Sequence, residues 1–551
     1  MTAIWLTCLL ASGSIAADPL EEAVADVLSI LALNRADVGI SKAYLPDPDR
    51  LTTTTEILAD PINAESRVRL LGGSVESATS HALLGIAGSL IDLDDADSSE
   101  SFDIFTAVDR ANRTISGLDS ASGGLLRLVH PDSSHTPQEL DSLVASGRKT
   151  PLSSLLRSAA ELLRSAEMAE VPEAQRSFVT SAGRITIGTK GDDLYDSSHA
   201  LILDPGGNDI YRGVAGVTGD SLRVSVVVDF KGNDRYEGRT AVGESGVGIV
   251  VDLEGDDVYD AETASQGVGI GGIGVLVDRA GDDRYTCGVG GQGFAVYGVG
   301  ILMDSAGSDE YVADMLGQGA AGPGGSGLLM DRDGDDRYKA GGAYADFREN
   351  GRYTRSMSQG FSFGLQTAAS GGVGALVDLG GDDNYEVSYF GQGAAHWAGV
   401  GMLYDRSGSD SYTARRYAQG TGAHLSAGIL VDDSGDDVYS MWGVGQGCGH
   451  DLSVGLLADR SGNDEYTIEW LGQGVGSGNG TGLLFDRRGD DVYRATQNDT
   501  QGHGGVSREF GSIGLLIDLE GRDRYRLDDT RLLSRSGPYG ARYDVPGDPA
   551  R

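Results

Sequence analysis

Two aspartates five residues apart around a glycine turn recur through most of this 551-residue chain after residue 200, and stacked carboxylate pairs can hold hard cations. The unit reads Gly-apolar-apolar-apolar-Asp-x-x-Gly-x-Asp-x-Tyr, as from Gly428 to Tyr439. Its pairs are Asp204 with Asp209, Asp229 with Asp234, Asp252 with Asp257, Asp278 with Asp283, Asp304 with Asp309, and Asp331 with Asp336. They continue as Asp378 with Asp383, Asp405 with Asp410, Asp432 with Asp437, Asp459 with Asp464, Asp486 with Asp491, and Asp518 with Asp523. Parallel stacking at about 4.8 Å repeats each carboxylate in a column, and like charges at that spacing repel. A divalent cation with oxygen-only ligands, Ca²⁺ above all, relieves the repulsion, and these residues are the candidate metal ligands. The competing use of the same side chains is to cap N–H groups of the turn.

A second constellation is built from imidazoles. His396, His424 and His450 stand four, five and four residues after Gln392, Gln419 and Gln446, so stacking should gather them on one stripe, with Asp451 beside His450. These four are the candidate acid/base residues. Around them lie Trp397, Tyr417, Trp442, Trp470 and Arg416, with Arg352 in a nearby insertion, as candidate ligand-binding residues. Such a face could stack on sugar rings, bind a transition metal, or simply fill corners. Cys448 lies two residues from His450, a spacing that does not by itself make a nucleophile.

The elements that must position these residues follow from the repeat. Gly-x-Asp-x-Tyr occurs thirteen times between residues 191 and 525, and the later units settle to a 27-residue step. A fixed period of that size specifies stacked coils. The expected fold is mainly β, a right-handed parallel β-helix over 183–527. Leu276, Leu302, Leu329 and their equivalents should form an internal ladder, and the tyrosines a second one facing inward or lining the corner. Gln-Gly follows the Tyr by seven residues in most coils, but from Tyr338 to Gln359 the spacing is 21, so one coil carries protruding loops.

Residues 18–182 show helical periodicity, with helices expected at Leu20–Leu33, Ser66–Leu93, Phe102–Leu118, Pro137–Val144 and Pro151–Met168. A domain there is expected to shield the open edge of the first coil. Residues 528–551 read as a terminal cap or tail.

The segment Asp204-Pro205-Gly206-Gly207-Asn208-Asp209-Ile210-Tyr211 resembles the hemolysin-type calcium-binding repeats of RTX proteins, whose unit is Gly-Gly-x-Gly-x-Asp-x-apolar-x. The resemblance implies Ca²⁺ as cofactor and carries the family's Gly, Asp and apolar positions onto Gly207, Asp209 and Tyr211, and likewise onto Gly435, Asp437 and Tyr439. Two departures stand: the family's first Gly is Asp here, and one motif recurs per 27 residues. They point to a larger, three-sided helix instead of a two-sided roll.

A formal net charge of −39 makes nucleic acid an unfavourable partner and divalent cations a natural one. Residues 1–17 read as a secretory signal peptide, no later stretch is apolar enough for a membrane span, and Cys287 and Cys448 are expected as free thiols. The expectation is a secreted, calcium-stabilised repeat protein with a structural or adhesive surface role. The alternative is a carbohydrate-binding protein, or a polysaccharide lyase or glycoside hydrolase, using the aromatic and histidine face on a polysaccharide or cell-surface glycan.

Overall fold

The apolar run before the first Asp of each coil is buried throughout: strands such as Val247–Asp252, Ala427–Asp432 and Thr481–Asp486 have no exposed residue. A strand of that kind must be covered on both faces, and the computed structural model shows what covers it. The structure describes residues 18–40, 50–93, 103–118, 124–128, 135–172, 174–349, 351–366, 368–525 and 533–545; the expected signal peptide and the loop at 94–101 lie outside them.

The chain is a parallel β-solenoid of about 12 turns with coils of ~27 residues, joined to eight α-helices among the described residues. Sixteen strands form the first sheet, here the leucine sheet; twelve form the tyrosine sheet; the third side falls into three- and five-stranded pieces joined through single bridges at Ala321. Pairing is in strict register, so that Leu403, Leu430, Leu457, Leu484 and Leu516 lie side by side. These leucines point inward onto the tyrosine ladder. Their neighbours Ile429 and Val431, and the equivalents in other coils, belong to a separate apolar layer shared with the helices.

That layer relocates the helical region. The helices α1 (Pro19–Ile30), α2 (Arg35–Val38), α3 (Thr52–Ala59), α4 (Ala64–Glu76), α5 (Ser80–Ser89), α6 (Ile104–Ile115), α7 (Pro137–Gly147) and α8 (Leu152–Glu167) do not form an end cap. Most of them run along the outer face of the leucine sheet, while α7 packs with Leu125 and Tyr297 against the third side. α1 packs on the last coils, α4 on strands between Val400 and Asp459, α5 on those between Val299 and Met330, and α8 on those between Val224 and Val277. The first described helix thus lies beside the last coil, and later helices lie along the flank toward the first. α6 reaches the first edge, where Asn112 donates to the Ser181 carbonyl. A row of ion pairs fixes the layer in place. Arg279 binds Glu167, Arg406 binds Glu76, Arg487 binds Asp18 and Glu65, and Arg69 of α4 binds Asp433. The single helix expected over Ser66–Leu93 is two, broken at Ser77–Thr79, and α3 begins at Thr52, within the stretch Ala43–Thr54 whose sequence reads as loop. Among the described residues no helix is long and apolar enough to cross a membrane.

The motif glycines are there for contact. A Cβ on Gly435 would lie 1.5 Å from the Gly408 carbonyl oxygen, and one on Gly462 would lie 1.6 Å from that of Gly435. Each coil therefore rests on the bare backbone of the next. The glutamine corner has a different cause. Gln446 sits in left-handed backbone at φ 46° and turns its amide back to donate to the Tyr439 carbonyl and to that of Thr467 in the next coil. Gln359 does the same for Tyr338 at 3.0 Å across the insertion, so the long loops leave and rejoin without disturbing the register. At the C-terminal end, Gly540–Asp544 adds a parallel strand to the leucine sheet, and Leu533–Arg535 pairs antiparallel with it.

Candidate functional site

The acidic corner is built across coils. Successive motif tyrosines stack with ring centroids 4.5–4.9 Å apart and planes within 14° from Tyr195 to Tyr525. Through most of the column each hydroxyl donates to the first aspartate of the following coil: Tyr412 to Asp432, Tyr439 to Asp459 and Tyr466 to Asp486, at 2.8–2.9 Å. Tyr493 and Tyr525 turn to their own coil's Asp486 and Asp518. The other oxygen of that first aspartate caps its turn, as where Ser434 N–H donates to Asp432 Oδ1 at 3.1 Å. The turn-capping use of these side chains is therefore present in the structure.

The second aspartate is only half used. Its Oδ1 accepts the backbone N–H of the motif aspartate one coil earlier, as Asp437 does from Asp410 and Asp464 from Asp437, both at 2.7 Å. Its Oδ2 is buried with no hydrogen-bond partner in Asp209, Asp234, Asp257, Asp283, Asp309, Asp336, Asp383, Asp410, Asp437, Asp464, Asp491 and Asp523. These orphan oxygens do not face empty apolar space. Asp209, Asp229 and Asp234 form one group whose ligand atoms lie within 4.8 Å of one another; Asp234, Asp252 and Asp257 form the next, and further groups of this kind recur. Each group joins the motif aspartate of one coil to both aspartates of the next, and each could hold a metal ion.

Such a column cannot stay ionised and empty. Burial first, and neighbouring carboxylates second, push the carboxyls far above the usual range: Asp209 and Asp234 to about 8, Asp383 and Asp437 to about 10. Something positive must enter, as metal or as protons.

The hydroxyl–carboxylate bond is directly testable. Tyr439→Phe keeps the stacked ring but leaves the Asp459 oxygen without its donor, and should cost about 1–3 kcal/mol in urea denaturation. Tyr439→Ala also opens a cavity and should cost about 3–5 kcal/mol. Equal stabilities for wild type and Tyr439→Phe would show that the hydroxyl does not support the column.

The imidazoles also come together, though not as one column. His396, Ala423 and His450 are register partners, and Trp397, His424 and Asp451 occupy the next position along. His424 Nδ1 is bonded to Asp451 Oδ2 at 2.7 Å, and Asp451 is held in turn by Arg508, which sequence reasoning missed because the residue lies 57 positions away. The neighbouring aromatics form a belt: Arg416 lies within 5.0–5.9 Å of Tyr389, Tyr417, Trp442 and Trp470, and Trp442 meets Trp470 edge-on at 5.5 Å. Arg415 sits 3.8 Å over Trp442, so an indole face that a sugar would need is taken by a guanidinium. Arg352 lies over Tyr353 at 5.5 Å, within the insertion. Arg348 of the same insertion reaches Phe390 and Tyr417 at 5.1 and 5.5 Å. Cys287 and Cys448 are buried free thiols, and burial pushes both up to about 12, which removes Cys448 as a nucleophile. Comparison with family models, with curated proteins and with solved structures found no match to this chain.

Proposed function

We propose that the protein is a secreted structural or adhesive solenoid whose aspartate column binds calcium ions between coils. The reading is carried by one observation: the buried, unpartnered Oδ2 of the motif aspartate, repeated coil after coil within reach of two more carboxylates. The charge balances, since two carboxylates per coil match one divalent ion per coil. The donors are all oxygens, which suits Ca²⁺ over softer metals. Ligands drawn from adjacent coils exist only in the folded chain, so ion binding is coupled to folding and favours a calcium-rich exterior. Strands of the tyrosine sheet alternate buried residues with partly or fully exposed ones, as in Val438–Trp442 and Glu465–Glu469, and so present a regular outer surface.

The test is calcium titration of the chelated protein. Uptake of several ions per chain is expected, each adding about 2.7 kcal/mol at a hundredfold excess over its Kd. Absence of uptake, together with a melting temperature that thorough EDTA treatment leaves unchanged, would sink the reading.

A further inference from the structure

Three neighbouring strands of the tyrosine sheet are longer than the rest. Ser411–Ala418, Val438–Gly445 and Glu465–Gly472 each run eight residues, where the other described strands of that sheet run two to six. The added length carries Arg415, Arg416, Trp442 and Trp470, all half-buried. The insertion coil brings Arg348 to the same place, with its guanidinium 5.5 Å from the Tyr417 ring that Arg416 approaches to 5.2 Å. Buried Asp346 anchors Arg348, which keeps 31% of its side chain exposed. A chain of formal charge −39 thus gathers three arginines over one set of rings. At physiological salt, charges more than about 8 Å away are largely screened, so the local sign decides what docks here.

The rings hold the guanidinium groups by their faces. Arg415 lies 3.8 Å from the Trp442 centroid and 4.3 Å from that of Tyr353, and Arg416 lies 5.0 Å from that of Trp470. Gly443 makes the second arrangement possible. It stands in register between Arg416 and Trp470, and a Cβ there would meet the Trp470 indole nitrogen at 2.4 Å, so the indole lies back over bare strand toward Arg416. A guanidinium stacked on a ring still presents its N–H fork at the edge, already oriented, and that fork matches a carboxylate with two parallel hydrogen bonds. The stacking that closes Trp442 to a neutral sugar therefore prepares donors for an acidic one.

The belt has the length of an oligomer. Arg355, Tyr389, Arg416, Gly443 and Trp470 follow one another in register across the coils. Four steps of about 4.8 Å make about 19 Å, more than one sugar ring spans. Exposed Glu469, beside Trp470, closes the belt at its far end. Duplex nucleic acid carries one charge per about 1.7 Å and would meet the acidic surface beyond the belt. A carboxylated sugar chain carries at most about one charge per ring and offers apolar ring faces to the aromatics between the arginines.

We propose that this belt binds a carboxylated glycan of the uronic-acid class, with Arg348, Arg415 and Arg416 taking carboxylates and the neighbouring rings packing on the sugars. The belt lies outside the aspartate column, so the site stands whether or not that column holds calcium.

The experiment is calorimetric titration of the full chain, in Ca²⁺, with three probes: a galacturonic acid hexamer, its methyl ester, and a thymidylate oligomer of equal charge. The acid hexamer is expected to bind, more weakly as salt is added. Its ester should bind about tenfold more weakly or worse, since the charged acceptor is gone. Arg415→Gln and Arg416→Gln should each weaken the acid hexamer by about tenfold or more. Thermal melts confirm that the variants are folded; if either is not, Arg348→Gln reads the same surface from the insertion, and the acid–ester comparison needs no variant. Absent binding, or equal binding of acid and ester, would overturn the proposal. So would binding that none of the three arginine substitutions weakens, the result if Ca²⁺ merely bridges carboxylates to the acidic surface. Tighter binding of the thymidylate would overturn it in favour of a nucleic-acid site.

Discussion

In the presence of chelator, the protein is expected to lose stability as the pH is raised from 5 to 9. Aspartates in an unfolded chain give up their protons near pH 4. In the folded column burial, then neighbouring carboxylates, hold those protons far longer: to about 6 at Asp257, about 8 at Asp336, Asp410 and Asp491, and about 10 at Asp437. A folded pKa raised above the unfolded one contributes stability that is complete below pH 4 and is lost as the pH climbs through the folded value. Each unit of difference is worth about 1.4 kcal/mol, and the column repeats it in coil after coil. Saturating calcium should reverse the trend, because metal and protons compete for the same oxygens and the metal gains as the pH rises. Thermal melts at pH 5, 7 and 9, with EDTA and with Ca²⁺, separate the two. A chelated protein equally stable at pH 5 and pH 9 would mean that the carboxylates ionise without a counter-ion, contrary to their burial.

Gly435→Ala should be among the most damaging single-methyl additions in the molecule. Its new carbon would meet the Gly408 carbonyl oxygen at 1.5 Å, and neither backbone can yield. Gly408 and Gly435 lie in turns that are bonded on both sides, Gly435 N–H donating to the Ser461 carbonyl at 2.9 Å. The coils must separate, which stretches the Tyr412–Tyr439 stack and the Tyr412–Asp432 bond together. A loss of about 3 kcal/mol or more is expected, at the upper end of overpacking costs. Limited proteolysis should show it as a new cleavage near residues 408–435. A control substitution at Gly73, where a Cβ meets nothing within 4 Å, should cost nothing of this kind. Resistance equal to the wild type would mean that the coil spacing is softer than the glycine column implies.

Much of the solenoid is readable before any coordinates exist, because a strict period fixes what stacks on what. Leu430 on Leu457 and Tyr439 on Tyr466 follow from the 27-residue step alone. What covers the outside of the leucine sheet is hidden, although its trace is present: Ile429 and Val431 are as apolar as Leu430, and a strand with one wet face would not need them. The placement of the helices rests on contacts such as Arg69 with Asp433, 364 positions apart, which no local pattern encodes. Tyr439 and Asp459 are visible as residue types, but only the rise between coils shows that the hydroxyl reaches the next coil's carboxylate and not its own. For the histidines, counting from the glutamine brings three rings together correctly. It misses that His424 turns through a left-handed corner and so pairs with Asp451, one coil on.

The helices that lie along the leucine sheet change what kind of object the solenoid is. Stacked coils by themselves interact only with their neighbours, and such an array can fray from either end one unit at a time. Here α1 holds the last coils, α4 and α5 the middle ones and α8 the early ones. Opening an end coil therefore means pulling on a splint fastened along the full length. A row of separable parts is thereby expected to unfold more cooperatively than bare coils would.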